Sequence, residues 1–538
     1  MKNRFECTRI YSWLVTICFL ILLCGCSKTE KKTAADVDIQ VSRSDQRSIY
    51  IQIAPMNQKI VWDWSNVIKD ETGKVFWYEA SAEGERNVRC AGIDEDIEFD
   101  AFSEPGVRYV YYTTDEDESS EESYQDVVLI VCTGLPVIQI DTNVHVSEIK
   151  DEYLPGTMQI YYPDGRIYDS SDDSKEESFM IRARGNATKG QPKEPYKLKL
   201  PEKRNLLDLS DRSNQDRNWV LLANYADKTL LRAQTGFYVA GLFNDLKGNE
   251  KLYVPSAIPV DVVINGRYWG NYTLSDSVRA SKDRVHINKK DSNPGGIGYL
   301  VERDNWYKSE EKWFEDGRGN GYSFKYPDED DPNMDTYVNY MEQYVKEFED
   351  SLYNPESEEW IQYIDIESFA RWFLIQNLLA NKDPNYYFYK ESSSDKSKLK
   401  MGPVWDFDWS IGIGFMEEED RPVSADYWVG TRWCFEELLK REEFVAELQK
   451  QWRRLNEEYP NLEKTICEKM REYEAEIHLS RQANYIMWPT MNLLVMSGGK
   501  PMGSYEAELE CDMEFLHNRV IWLDEQIESL PESFLDDN

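Results

Sequence analysis

Asp406 and Asp408 stand two residues apart in an apolar, aromatic run, Met401-Gly-Pro-Val-Trp-Asp-Phe-Asp-Trp-Ser-Ile-Gly412. In an extended segment, residues i and i+2 point to one side. Two carboxylates would then converge in a setting where unpaired charge is very costly, and a cation must meet them. Magnesium takes hard oxygen ligands and bridges one or two carboxylates to phosphates. The alternative is a strand whose acids pair with Arg or Lys. Upstream, Asn381-Lys-Asp-Pro-Asn385 follows a long apolar helix, with Asp383 just past its end and Asn385 two residues on. Phosphoryl transfer needs one acid to orient the attacking hydroxyl, an amide and an acid to hold magnesium, and positive groups to grip phosphates. Asp383-Pro-Asn385 also reads as a plain turn, since these are turn residues.

Two segments carry candidate positive groups. Arg182-Ala-Arg-Gly-Asn-Ala-Thr-Lys-Gly190 joins a strand to a glycine-containing loop, where freed amides, Arg184 and Lys189 could cradle phosphates. Tyr196-Lys-Leu-Lys-Leu200 puts Lys197 and Lys199 on one strand face, as a kinase strand lysine aimed at the α- and β-phosphates would be. Solvated bases on a loop and a half-exposed strand are the plainer readings of both.

The elements that must position these groups fall into a strand-rich half and a helical half. From Val37 to Gly134, short β-rich runs such as Ser48–Ile53, Lys59–Trp64, Val75–Tyr78, Arg108–Tyr112 and Asp126–Cys132 alternate with turns. They predict a small β-sandwich, immunoglobulin-like, over residues 37–134. A second domain, 135–530, begins near Leu135. It is strand-rich to about residue 305, with an Asn265-Gly266 hairpin turn and one helix from Asp227, its expected N-cap, to about Leu242. Helical periodicity dominates from about residue 334, over Met334–Tyr353, Ile366–Ala380, Cys434–Glu458, Leu462–Met487 and Ser504 to about Leu530. This is an α+β pattern with a cleft expected between a strand-rich and a helical lobe.

The 538 residues are 41% hydrophobic and 13% aromatic, a folding composition. A formal charge of -37 repels nucleic acid at long range, and four scattered histidines leave little room for a His-rich zinc site. Lys2, Arg4 and Arg9 precede an apolar run that ends Leu23-Cys-Gly-Cys26. This pattern is that of a lipoprotein signal over residues 1–25, with Cys26 lipidated and 26–36 as linker. It predicts a chain on the extracytoplasmic face of the cell membrane, where Cys90 and Cys132 could pair or remain free.

Several motifs occur in one order: Arg184-Gly-Asn-Ala-Thr188, Pro195-Tyr-Lys-Leu-Lys199, Asn218-Trp-Val-Leu-Leu-Ala-Asn-Tyr-Ala-Asp-Lys-Thr-Leu-Leu-Arg232, Asn265-Gly-Arg-Tyr-Trp-Gly-Asn-Tyr272, Lys282-Asp-Arg-Val285, Gly298-Tyr-Leu-Val-Glu302 and Pro403-Val-Trp-Asp-Phe-Asp408. Over about residues 135–530 the chain thereby resembles the CotH family, the spore coat protein H-like atypical kinases. The resemblance implies a divergent, two-lobed protein-kinase-like fold that transfers phosphate from ATP to protein serine or threonine with Mg2+. It implies Asp383 as the catalytic-loop aspartate, Asp406 as the magnesium aspartate with Asp408 beside it, and Asn385 as a further metal ligand. Lys197 or Lys199 would hold ATP phosphates, with Arg184 and Asn186 in the loop above them, and Glu302 and Arg232 would order the site. The chain departs from the family pattern at Pro384, the single residue between Asp383 and Asn385, and at Ser275-Asp276, where family members often have Thr-Glu. The expected partners are ATP, a protein substrate in the cell envelope and the membrane through the lipid. A non-catalytic surface lipoprotein that binds a partner, or transfer of a group other than phosphate, would use the same holders.

Overall fold

Apolar and aromatic side chains of the first strands build a sandwich. The computed structural model describes residues 33–531, apart from 41–47, 69–72, 81–85, 115–123, 125, 174–177, 186–187, 212, 290–295, 329, 395, 414–420 and 496–498. Cys26, Asn186 and the acidic run from Asp115 to Glu122 therefore lie outside the described residues. Strands β1 (Ser48–Ile53), β2 (Ile60–Trp62), β3 (Lys74–Glu79), β4 (Arg89–Gly92), β5 (Ile97–Phe99), β6 (Gly106–Thr113) and β7 (Asp126–Cys132) form two sheets, in the orders β1-β7-β6-β3-β4 and β2-β5. The first strand pairs parallel with the seventh. Trp62, Trp64, Trp77, Phe99 and Val128 from both sheets share one core. Cys90 is exposed, Cys132 is buried, and both are free thiols.

Seven further strands close into a barrel. They are β8 (Val137–Thr142), β9 (Leu154–Tyr161), β11 (Phe179–Ala183), β12 (Tyr196–Arg204), β13 (Asp216–Leu222), β14 (Ala257–Ile264) and β15 (Arg267–Asp276), and β10 (Ile167–Asp169) flanks β9. The ring runs β9-β11-β12-β13-β15-β14-β8, and β8 completes it by pairing with β9. Period-two alternation sends Ile138, Ile181, Tyr196, Leu198, Leu200, Trp219 and Val262 into its core. Lys197 and Lys199 consequently face outward. Asn265 and Gly266, at φ 51° and 74°, make the β14–β15 turn in the left-handed region that such hairpins require.

The strand-rich region, expected to end near residue 305, extends beyond it into a second antiparallel sheet. It takes β16 (Tyr299–Arg303), β17 (Trp313–Glu315), β18 (Gly321–Tyr326), β19 (Tyr386–Lys390) and β20 (Leu399–Met401) in the order β17-β18-β16-β19-β20. Helices α1 (Arg232–Asp245), α2 (Met334–Leu352), α3 (Ile366–Leu378), α4 (Phe435–Leu438), α5 (Glu442–Glu458), α6 (Leu462–Met487) and α7 (Tyr505–Glu528) pack around this sheet in one large core. The helix expected over Cys434–Glu458 is two, broken near Leu439–Arg441. Asp227 is not an N-cap: α1 starts five residues later, and Asp227 instead receives the backbone N–H groups of Thr229 and Arg232. The first sandwich is not an isolated bead. Val127, Leu129 and Val131 share an apolar cluster with Tyr268 of β15 and with Leu479 and Ala483 of α6. Among the described residues no helix is long and apolar enough to cross a membrane.

Candidate functional site

The segment from Trp405 to Asp408 is irregular chain that runs into a turn at Asp408 and Trp409, rather than a strand. Asp406 adopts a left-handed φ of 63°, a conformation that Asp tolerates better than most residues. The same-side argument for a strand therefore does not apply, and the fold brings the two acids to one cleft by other means. Phe407 between them is 1% exposed and packs against Phe237 of α1. It lies over Gly236, where a Cβ would sit 2.2 Å from its ring. Trp405 packs on Phe237 as well, at 5.6 Å between centroids. A glycine inside a helix is normally destabilising, and this one makes room for the ring that anchors the acidic turn.

Asn381, fully buried, ties this turn to the loop of Asp383. Its Nδ2 donates to the Asp406 carbonyl at 2.8 Å, and its Oδ1 accepts the Asp383 N–H at 3.2 Å. The Lys382 N–H reaches the Trp409 carbonyl at 3.1 Å, and the Ile411 N–H reaches the Leu379 carbonyl at 2.7 Å. Behind the turn, Arg232 donates from Nε to the Ser410 carbonyl at 2.9 Å and from Nη2 to the Ile411 carbonyl at 3.4 Å. The same guanidinium is paired with Asp227 and, at 2.5 Å, with Asp512 of α7. Arg421 pairs with Glu508 and, at 3.1 Å, with Asp512. Arg232 is thus a positioning residue outside the cleft.

The cleft has a volume of about 1150 Å3 and is lined by Arg184, Lys193, Glu302, Lys325, Asp383, Asn385, Asp406, Asp408 and Arg432, among others. Asp406 is open to solvent at its floor, and Asp408 is half-buried beside it. Neither carboxylate has a side-chain hydrogen bond or ion pair among the described residues. Burial in the walls of the cleft holds both carboxyls above the usual range, and for Asp408 the charge of Asp406 adds to this. Arg184 pulls both back down and lies over the Trp405 ring at 5.6 Å. Asp383 is also raised by burial, against the opposing charge of Arg432.

Glu302 on β16 meets Lys325 on β18 at 3.1 Å and accepts from Asn385 Nδ2 at 2.7 Å. Burial raises the Glu302 carboxyl and outweighs the ammonium beside it. Asn385 Oδ1 is buried without a hydrogen-bond partner among the described residues. A lone buried amide oxygen and two carboxylates without partners are a donor set that suits magnesium. No group of three or more His, Cys, Asp or Glu that could hold a metal occurs among the described residues. The ion's remaining ligands would be water or phosphate oxygens, as is usual for magnesium.

The structure gathers Arg184, Glu302, Asp383, Asn385, Asp406 and Asp408 at one cleft. It does not bring Lys197 or Lys199 to the cleft wall, because both project from the outer face of the barrel. Lys325, paired with Glu302, lines the cleft instead. Sequence reasoning missed it because it sits in an aromatic strand with no motif of its own. Asn381 was also missed as a link, although it opens the segment that carries Asp383. Asp276 is fully buried, and Tyr253 and Asn214 hydrogen-bond to it. The Ser275-Asp276 departure therefore falls in a structural contact of the barrel.

A family model described as CotH kinase protein matches residues 181–523, a span that contains every residue lining the cleft. No curated protein matches the chain.

Proposed function

The chain belongs to the CotH kinase protein family, and from that premise we propose that it is a two-lobed atypical protein kinase that transfers the terminal phosphate of ATP to a Ser or Thr hydroxyl of an envelope protein. The observation that carries this reading is the pair Asp406 and Asp408, without ion-pair partners among the described residues, in a cleft that Asp383 also lines. Asp406, Asp408 and Asn385 Oδ1 would hold magnesium, which when bound would neutralise phosphate charge and align the transferring group. Arg184 and Lys325 grip the phosphates from the two sides of the cleft. Glu302 fixes Lys325 and turns the Asn385 amide so that its oxygen faces away from Glu302. Asp383 orients the acceptor hydroxyl and takes its proton, and a carboxyl held above the usual range suits that task. Asn381 sets the separation of the two acidic loops.

Phosphate transfer from ATP to the protein itself and to proteins of its own envelope tests this directly. Asp383→Asn should keep nucleotide binding and lose about 10²–10⁴-fold in transfer. A wild type that binds ATP but transfers nothing would favour a partner-binding protein or another transferred group. In the same reading, residues 37–134 are an immunoglobulin-like spacer, and Cys26 carries a lipid that holds the chain on the extracytoplasmic face of the membrane. The support for the anchor is the basic, apolar, Cys-ending pattern of the first 26 residues. Cys26→Ser should leave the protein unprocessed or free of membranes; normal processing and membrane attachment would refute the anchor.

A further inference from the structure

The outer face of the barrel beside the cleft gathers cations that the proposed transfer leaves unused. Lys197 on β12 lies directly opposite Arg182 on β11. Like charges at directly opposed strand positions repel. Arg184, just past the end of β11, continues the same side of the chain toward the cleft. Lys197 is only partly exposed and has neither hydrogen bond nor ion pair among the described residues. Burial first, and then the positive charges of Arg182, Arg184, Arg279 and Lys325, push its ammonium down to about 8. Arg182 Nε is buried with no acceptor. Arg279 and Lys325 have carboxylate partners, Asp216 at 3.2 Å and Glu302 at 3.1 Å. Lys197, Arg182 and Arg184 have none among the described residues.

A cluster of unpaired cations is unexpected on a chain of charge -37. Most of this surface repels anions at long range, so an anionic partner would find its attraction here. Arg184 and Lys325 line the cleft, whereas Lys197, Arg182 and Arg279 stand outside it. An anion held by Lys197 and Arg182 therefore lies next to a bound nucleotide and is not part of it. We propose that Lys197 and Arg182, beside Arg184 at the edge of the cleft, form a docking site for a phosphoserine-bearing segment of the acceptor protein. The proposal rests on the kinase reading for the source of that phosphate. The ester dianion left by one transfer is the anion such an enzyme supplies to its own substrate. Its capture at the rim would keep the acceptor chain beside the cleft for the next hydroxyl. Guanidinium groups suit a phosphate's oxygens in a fork geometry, and an ammonium adds a point charge.

The experiment titrates a serine-rich peptide carrying one phosphoserine, its unphosphorylated twin and inorganic phosphate against the full chain without nucleotide. Lys197→Met and Arg182→Met are measured in parallel, and magnesium-ATP binding is measured for all three proteins. The phosphopeptide should bind at least about tenfold more tightly than either its twin or inorganic phosphate. Each variant should lose about tenfold or more of that affinity, the effect of removing one charge-assisted contact, while ATP affinity stays within about twofold. Equal binding of the twin, equal binding of inorganic phosphate, or variants that weaken ATP and spare the phosphopeptide would each overturn the docking site. Because these peptide titrations contain no nucleotide, a wild type that fails to bind ATP would refute the kinase reading separately.

Discussion

Two neighbouring regions of this molecule treat their acids in opposite ways. Behind the acidic turn, Asp227, Asp512 and Glu508 are fully buried and all paired, by Arg232 and Arg421. In front of it, Asp406 and Asp408 face the cleft with no partner among the described residues, and burial raises both carboxyls. A buried acid without a cation is costly. The fold meets that cost behind the turn with its own guanidinia, whereas in front Asp406 is open to solvent, Asp408 is half-buried, and neither has an ion-pair partner among the described residues. The contrast teaches that the rear network supports the turn, while the front pair is where the proposed function seats a cation from outside. Arg232 joins the two, because the group that pairs Asp227 and Asp512 also holds the carbonyls of Ser410 and Ile411.

Breaking the rear region should have the largest effect on stability. Arg232→Met leaves buried acids without their partner and frees two carbonyls, so it should destabilise the fold by about 3–5 kcal/mol. Thermal or denaturant unfolding measures this. A near-neutral result would mean that the network does not hold the turn.

A third kind of buried acid sharpens the comparison. Glu349 on α2 is 1% exposed, and burial and Asp316 push its carboxyl up to about 8. It accepts from Trp433 Nε1 at 2.8 Å and from Tyr322 at 3.1 Å. A carboxyl raised in the folded state holds a proton that the unfolded chain has lost. Its contribution is therefore fully present below the unfolded value near 4.3 and is lost as pH rises toward 8. Glu349→Gln should remove that pH dependence and leave the variant more stable than wild type at pH 8, by on the order of 2 kcal/mol. Unfolding midpoints at pH 5 and pH 8 test it, and a pH profile unchanged by the substitution would contradict it. Magnesium-ATP binding should be unaffected, since Glu349 is not part of the cleft.

The smallest change probes how the turn is seated. Gly236→Ala adds one methyl group that must displace the Phe407 ring. Overpacking of this kind costs about 1–3 kcal/mol. It should weaken magnesium-dependent nucleotide binding several-fold in a protein that still folds, and unchanged binding would show that Phe407 does not set the position of its neighbours.

Regular patterns made much of the architecture legible. The apolar run Asp126–Cys132 and the long periodic segment Leu462–Met487 appear as β7 and α6 with the boundaries their patterns suggest. The barrel was not legible, because closure by β8 onto both β9 and β14 is a non-local pairing that no local pattern announces. The second sheet was hidden for a related reason: β19 and β20 join β16–β18 only after two intervening helices of strong periodicity. At the site, the acids were legible by type and spacing, but their geometry was not. A spacing of two implies a shared side only in extended chain, and Asp406 has a left-handed backbone. Lys197 and Lys199 stood out by their motif and Lys325 did not, yet strand alternation turns Lys197 outward and the packing of β18 beside β16 brings Lys325 to Glu302.

The most direct test of the account is calorimetric binding of ATP to the full chain with and without magnesium, for wild type and Asp406→Asn, with thermal unfolding measured alongside. The account predicts that wild type binds ATP tightly only with magnesium. It predicts that Asp406→Asn loses the magnesium-dependent part and remains folded, with no loss of stability in metal-free buffer. Wild type that binds no nucleotide with any divalent metal, or Asp406→Asn that binds as wild type does, would contradict the claim that the unpaired acids of the cleft await a metal-bound nucleotide.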